Sequence, residues 1–393
     1  MSSQMLRASP RAGAPFFARI QAIGRALKRF GRKAQPAAVA LARRHPRLAD
    51  LSVSFPALLV ALAWPNGRAA AQAVIDGAIA GAPLASLAAA ARVPLWLRRM
   101  APEMLPAPLP ELPDGAFVRH RIANHLPTHA KFAPQWFEAV AFAHRWADQD
   151  FVLWCAREFA HAPSDKRKRR DRRRANRARR IHRLELLGLW AWFSARPDTY
   201  AASLIRRPWR PQMPLQAAWR HADDWATAVE LDLNLGGRPI RDCWLSLRRW
   251  EGYEFAPLAS AAEIAAEADA MRNCVRTYSD GLVHDRLRLF GLRRDGARLA
   301  TVCVGWENGD PYPAITQLAL AGNKDAPDAL WWAARQWLNA HDLSGLAKRD
   351  FDWSSVPIDR SAWTRLWKPY WLAKGKAPRW LPLTPSRHAL RDL

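Results

Sequence analysis

Three segments of strand character follow one another in the last third of the chain: RLRLFGLR, RLATVCVGWE and YPAITQLALA, at residues 286–293, 298–307 and 312–321. Strand side chains point alternately to opposite faces, so short runs rich in Leu, Val, Ile and Phe suit half- or fully buried strands. They are parted by RDGA and NGDP, whose Gly and Asp residues are the turn chemistry that joins antiparallel neighbours. The expectation is a three-stranded antiparallel meander, with a helical stretch on either side. Ser260, with Glu263 three positions on, opens an Ala-rich helix as a capping box; the helix is expected to run to about Asp280 and stop at Gly281. APDALWWAARQWLNAHD, residues 326–342, is the second helix. This order defines an α+β module with the sheet packed on the two helices.

A chain of 393 residues, half of them hydrophobic, can bury more than one core, so two or three domains are expected. Upstream of the module the pattern is mostly helical. The fold class is therefore α+β: a mostly helical N-terminal region followed by a C-terminal helix, three-stranded antiparallel meander and helix. The most apolar window, LSVSFPALLVALAW from Leu51 to Trp64, is shorter than the roughly 20 residues a membrane-spanning helix needs, and it contains Pro56. It reads as a buried helix, and no transmembrane segment is expected. LPAPLPELPDGAF, residues 105–117, is too proline-dense for a helix and reads as a rigid connector. Helical spacing returns over residues 134–160, with Trp136, Phe137, Val140, Phe142 and Trp146 as core candidates. RRPWRPQMP, residues 206–214, resets the chain, and the stretches DWATAVELDLNLGGRP and RDCWLSLRRW suit either helix or strand.

Charge points toward function. Sixty Lys and Arg stand against 35 Asp and Glu, a net +25, and such an excess favours polyanions: nucleic acid or an anionic membrane surface. Residues 165–183, DKRKRRDRRRANRARRIHR, hold twelve Lys or Arg against two Asp, a local +10. The polyanion-binding candidates here are Lys166, Arg167, Lys168, Arg169, Arg170, Arg172, Arg173, Arg174, Arg177, Arg179 and Arg180. Blocks of like charge repel one another and tend to order on a polyanion, although a solvated helix leading into the apolar LELLGLWAWF is the plainer alternative.

The second basic cluster is N-terminal, where eleven basic residues and no acidic one precede Asp50. Phe16, Ile20, Ile23, Leu27 and Phe30 recur at helical spacing, which makes residues 1–48 a basic amphipathic arm, expected to be partly disordered. It could lie on an anionic membrane, dock on a protein partner or track phosphates. The remaining organisation is expected to be a helical region at 49–205 carrying the basic block, an α+β domain at 206–345, and a Trp- and Pro-rich extension at 346–393.

Cys155, Cys243, Cys274 and Cys303 show no paired short spacing, so neither a structural metal nor a cofactor is implied. The N-terminus lacks the continuous apolar core of a secretory signal, so a cytoplasmic location with reduced thiols is expected. A nucleophilic cysteine needs a helix start, an aimed cation or a paired histidine. Placed late in its expected helix, Cys274 would have none of these: Arg272 and Arg276 would lie on another face, and His284 beyond the helix stop. Asn273, Tyr278, Gln317 and Asn323, grouped with Cys274, are the stronger recognition candidates. Amides on a strand and its following turn can hold a ligand by paired hydrogen bonds, or else satisfy buried backbone groups. The 21 tryptophans are read mainly as core anchors.

AAEADAMRNCVRTY, RLFGLRRDGARLATVCV and ITQLALAGNK, in this order, resemble the PcfJ-like family, first named from a conjugative plasmid. The resemblance is strongest over residues 260–340. The upstream VPLWLRRMAPEMLPAPLPELPDGAFVRHRIANHLP is similar to the N-terminal part of longer bacterial members. A glycine would be expected beside the Cys-Val pair, where this chain has Arg276 and Thr277. The resemblance implies a possible link to mobile DNA and no established reaction. Three readings follow. The first is a non-enzymatic, nucleic-acid-associated accessory factor. The alternatives are a cysteine-dependent hydrolase or transferase using Cys274, and an assembly protein of a conjugation or secretion machine attached through the arm.

Overall fold

The computed structural model describes residues 14–64, 71–161, 173–246, 248–306, 311–346 and 360–375. The chain divides into two compact units, one comprising residues up to Ala195 with Trp209–Trp219, the other Arg196–Pro208 with Arg220 onward.

Every regular element among the described residues of the first unit is a helix: α1 (Ala14–Arg29), α2 (Gln35–Ala42), α3 (Pro46–Ser54), α4 (Pro56–Ala63), α5 (Ala71–Ala80), α6 (Leu84–Ala90), α7 (Ala116–Ile122), α8 (Ala133–Trp146), α9 (Gln149–Phe159) and α10 (Arg173–Ser194). Prolines set several of the starts. Pro36, Pro46, Pro56 and Pro134 occupy first-turn positions, where the missing N–H would have no helical partner in any case. The apolar window at 51–64 is thus not one helix: Phe55 and Pro56 break it into the end of α3 and the whole of α4. Every residue from Pro56 to Leu62 is buried. From Ala14 the N-terminal segment is helical and packs on α2 and α3, with Phe30 buried, Arg19 paired to Asp50 and Arg29 to Glu103. Residues 1–13 lie outside the described part.

The proline-rich run at 105–117 does more than connect. Residues 105–115 are non-helical, with Leu105, Leu109 and Leu112 buried, and the carbonyl of Pro113 accepts from Trp96 Nε1 at 3.0 Å. Tryptophans anchor this core as both apolar bodies and donors. The indole N–H of Trp136 is shared between the carbonyls of His125 (2.8 Å) and Ala156 (2.9 Å), and that of Trp154 reaches Met213 O at 2.7 Å.

The second unit contains α11 (Tyr200–Ser203), α12 (Leu215–Leu235, which begins in the first unit's residues), α13 (Ala261–Met271), α14 (Ser279–Val283), α15 (Asp328–Asn339) and α16 (Arg360–Lys374). The ambiguous stretch before Gly236 is therefore helix. Its buried Ala222, Trp225 and Val229 recur at helical spacing, whatever the alternation of Val229 to Leu235 suggests.

The α+β class holds, but the sheet has six strands rather than three: β1 (Arg249–Trp250), β2 (Tyr253–Pro257), β3 (Leu287–Arg294), β4 (Ala297–Gly305), β5 (Ala314–Leu320) and β6 (Lys324–Asp325). They form a single antiparallel meander in chain order. β1 and β2 precede α13 and are joined by Glu251 and Gly252, both at positive φ, in a two-residue hairpin. The β3–β4 turn is likewise Asp295–Gly296 at positive φ, as RDGA implies, while most of NGDP lies outside the described residues.

The alternation of β3 and β4 sorts the core. Phe290, Leu292, Ala300, Val302 and Val304 join Phe255 and the α15 residues Ala334 and Trp337 in one cluster. Leu289 and Cys303 join Leu231, Leu235, Ile264, Ala268 and Leu282 in a second. Helices thus cover opposite faces of the sheet. Trp337 is fully buried, with its ring 4.0 Å from that of Phe255 and 5.0 Å from that of Phe290, whereas Trp332 on the same helix is exposed.

Replacing Trp337 by Ala should cost about 3–5 kcal/mol, the usual range for removing a large core aromatic. Chemical denaturation reads this directly. A loss no larger than that of Trp332→Ala would show that Trp337 is not the anchor of this face.

Candidate functional site

The sequence expectation for Cys274 rests on one helix from Ser260 to about Asp280. The start is as expected: Ser260 Oγ accepts from Glu263 N at 3.2 Å, and Glu263 Oε2 accepts from Ala259 N at 2.9 Å. The end is not. α13 stops at Met271, and Arg272 takes the left-handed conformation at φ 49°. The carbonyl of Ala268 then accepts from the N–H groups of both Arg272 and Asn273, a left-handed C-cap that usually employs glycine. Gly322 N, in the turn after β5, donates to Met271 O at 2.7 Å and ties down the same end. A single 3-10 turn, Val275–Tyr278, follows, and Gly281 lies within α14 instead of ending a helix. Cys274 is consequently an exposed residue in a turn, and the helical-face argument that separated it from Arg272 and Arg276 does not apply.

The turn brings the five polar candidates together with strand residues. Asn273 Nδ2 donates to Thr301 Oγ1 at 2.8 Å. Thr301 in turn donates to Glu267 Oε1 at 3.0 Å, and Glu267 Oε2 accepts from Arg298 Nε at 3.0 Å. Glu267 is only 1% exposed, so this neutralising chain is what makes its burial tolerable. Asn323 Oδ1 accepts from Cys274 N at 3.3 Å and from its thiol at 3.7 Å. The Tyr278 hydroxyl donates to Gln317 Oε1. Burial, with Cys274 and Cys303 alongside, raises the Tyr278 pKa, so the ring stays a neutral donor. These side chains satisfy one another. The Cys274 thiol interacts with the Asn323 amide and the Tyr278 hydroxyl, and His284 is 3.4 Å from Asp280.

A cleft of 570 Å³ opens elsewhere in the same unit, against the other side of α13. Ala228, Leu231 and Leu235 of α12 and Ala261 and Ala265 of α13 form apolar walls. Arg206 and Arg276 also line it, and both pair with Asp269. Arg276 additionally donates to Ala265 O at 3.1 Å. Desolvation lowers the pKa of both arginines, and the Arg276 charge lowers that of Arg206 further. Sequence reasoning does not find this cleft. Arg206 stands in what looks like a boundary loop and Arg276 on an expected helix face away from Cys274, and no local pattern links two arginines so far apart in the chain.

Of the polyanion candidates, Lys166, Arg167, Lys168, Arg169, Arg170 and Arg172 lie outside the described residues. Arg173, Arg174, Arg177, Arg179 and Arg180 fall on the backbone of α10, a helix that continues without a break into the buried Leu184, Leu187, Trp190 and Phe193. Arg183, where the two halves meet, stacks over the Trp219 ring at 5.2 Å. Among the described residues no group of three or more His, Cys, Asp or Glu side chains could hold a metal ion, and no helix is long and apolar enough to cross a membrane.

Compared with protein-family models, curated proteins and solved structures, the chain finds no match.

Two outcomes test this geometry. Thr301→Val removes the hydroxyl that links Asn273 to Glu267 and should destabilise the fold by about 1–3 kcal/mol, the cost of unpairing buried polar groups. An unchanged denaturation midpoint would reject the network. Native protein treated with an aromatic disulfide should show a fast-reacting thiol that disappears in Cys274→Ala, because Cys155 and Cys303 are buried and Cys243 is partly buried, with its thiol pKa raised by desolvation. A fast phase that survives the substitution would place the reactive thiol elsewhere.

Proposed function

We propose that the protein is a non-enzymatic, nucleic-acid-associated factor that contacts phosphates through the basic half of α10. The observation that carries this reading is the continuity of α10 (Arg173–Ser194): one helix joins an arginine-dense segment to a deeply buried apolar one. Arginines one turn apart on such a helix, as Arg173 and Arg177 or Arg177 and Arg180 are, repel one another. Neutralising them with phosphate removes that repulsion and releases the counterions condensed on the nucleic acid. The local +10 and the overall +25 support the same partner. The resemblance to PcfJ-like proteins adds the expectation of a mobile-DNA context. Attachment through the N-terminal helix has less support, because Arg19 and Arg29 of α1 already pair with Asp50 and Glu103.

Binding of single-stranded and duplex oligonucleotides, measured by fluorescence anisotropy across a salt series, tests the reading. The logarithm of affinity should fall linearly with the logarithm of salt. Changing Arg173, Arg174, Arg177, Arg179 and Arg180 together to Gln should flatten that slope by roughly 0.9 for each phosphate that the variant leaves unneutralised. A slope near zero in the unmodified protein, or one that the five changes leave untouched, would overturn it.

A further inference from the structure

We infer that the cleft beside α13 is a binding site for a small amphipathic anion, a single carboxylate or phosphate head on an apolar body. The site is independent of the α10 reading and belongs to the second unit alone. Its volume, 570 Å³, is that of a small-molecule pocket, and its walls are mostly aliphatic. An apolar cavity of this size has little to offer a fully polar ion, and Arg206 and Arg276 meet in the part of it bordered by Asp269.

That part carries excess positive charge. Arg206 and Arg276 converge on Asp269, so one carboxylate serves two guanidiniums. Arg238, next to the turn that ends α12, adds a third cation to the lining. Asp232, the other acid of the lining, is matched elsewhere: it accepts from the Tyr200 hydroxyl at 2.7 Å and from Arg365 at 3.1 Å. Asp224 acts on both Arg206 and Arg276 from outside the lining. Over the lining as a whole Arg206, Arg238 and Arg276 stand against Asp269, since Asp232 is matched by Arg365 and Asp224 also lies 3.8 Å from His221. The Arg276 side chain is only 11% exposed, so solvent screens its charge poorly. Arg206 and Asp269 are both about half exposed and can exchange partners without rearranging the core. A ligand anion would take the place that Asp269 fills in part, and its apolar body would lie along α12.

Calorimetric titration of the full chain with hexyl phosphate, hexanoate and 1-hexanol, in phosphate-free buffer at low salt, tests the inference. Saturable binding of hexyl phosphate or hexanoate, and not of hexanol, is expected; which anion binds more tightly identifies the head group. Arg206→Gln should weaken binding roughly tenfold or more, the loss of one charge-assisted hydrogen bond. Ala265→Leu, which fills the cavity and leaves the charges alone, should abolish it. Asp269→Asn should tighten binding, a change of sign that general destabilisation would not produce. Neutralising the five α10 arginines should leave the titration unchanged, which separates this site from the nucleic-acid reading. Equal binding of hexanol, no saturable binding of either anion, or binding that survives Ala265→Leu and vanishes with the α10 arginines would each overturn the inference.

Discussion

The second unit depends on one strand pair, β3 with β4, whose two faces are both buried. Because strand side chains alternate, Phe290 and Leu292 are committed to the α15 face and Leu289 and Gly291 to the α13 face. A slip of one residue would exchange the two sets, placing aromatic bulk against α13 and leaving Trp337 without its partners. Gly291 carries a further constraint. A side chain there would meet the Glu267 carboxylate at 3.3 Å, so the absence of a Cβ is what lets a buried charge lie against the sheet.

Glu267 and the residues around it explain why α13 presents two chemistries. The row containing Ile264, Ala268 and Met271 packs into the core, with Glu267 beside it, and the polar chain from Arg298 through Glu267 and Thr301 to Asn273 fixes where the helix meets β4. The row containing Ala261, Ala265 and Asp269, one turn apart from one another, borders the cleft. Small residues at the first two positions leave the cavity, and the acid at the third gathers Arg206 and Arg276 at its edge. The Cys274 turn belongs to the sheet side. Its polar groups are engaged by Asn323, Gln317 and Thr301, whereas the charge imbalance lies on the cleft side.

Much of this was legible in the chain. Ser260 and Glu263 announced the start of α13 because a capping box is a purely local exchange of hydrogen bonds. RDGA announced the β3–β4 turn because only certain residues accept positive φ readily. The same logic missed the hairpin of β1 and β2, since two short strands around Glu251 and Gly252 have too little alternation to stand out from their arginine- and tryptophan-rich surroundings. Of the residues grouped from the sequence, Cys274 meets Asn323 and Tyr278 meets Gln317, from a turn after α13 and not from the expected helix.

Local periodicity and turn chemistry, together with the overall excess of positive charge, were determined by the sequence itself: they depend on residues within a turn or two of one another, or on simple counting. The end of α13 was decided by tertiary structure. Nothing in Arg272 asks for a left-handed conformation, and the hydrogen bond from Gly322 to Met271 comes from a turn beyond three strands. The same holds for the cleft. Arg206, Asp269 and Arg276 reach one carboxylate-centred cluster from separate elements of the fold, and an electrostatic site made this way has no signature until folding brings its charges together.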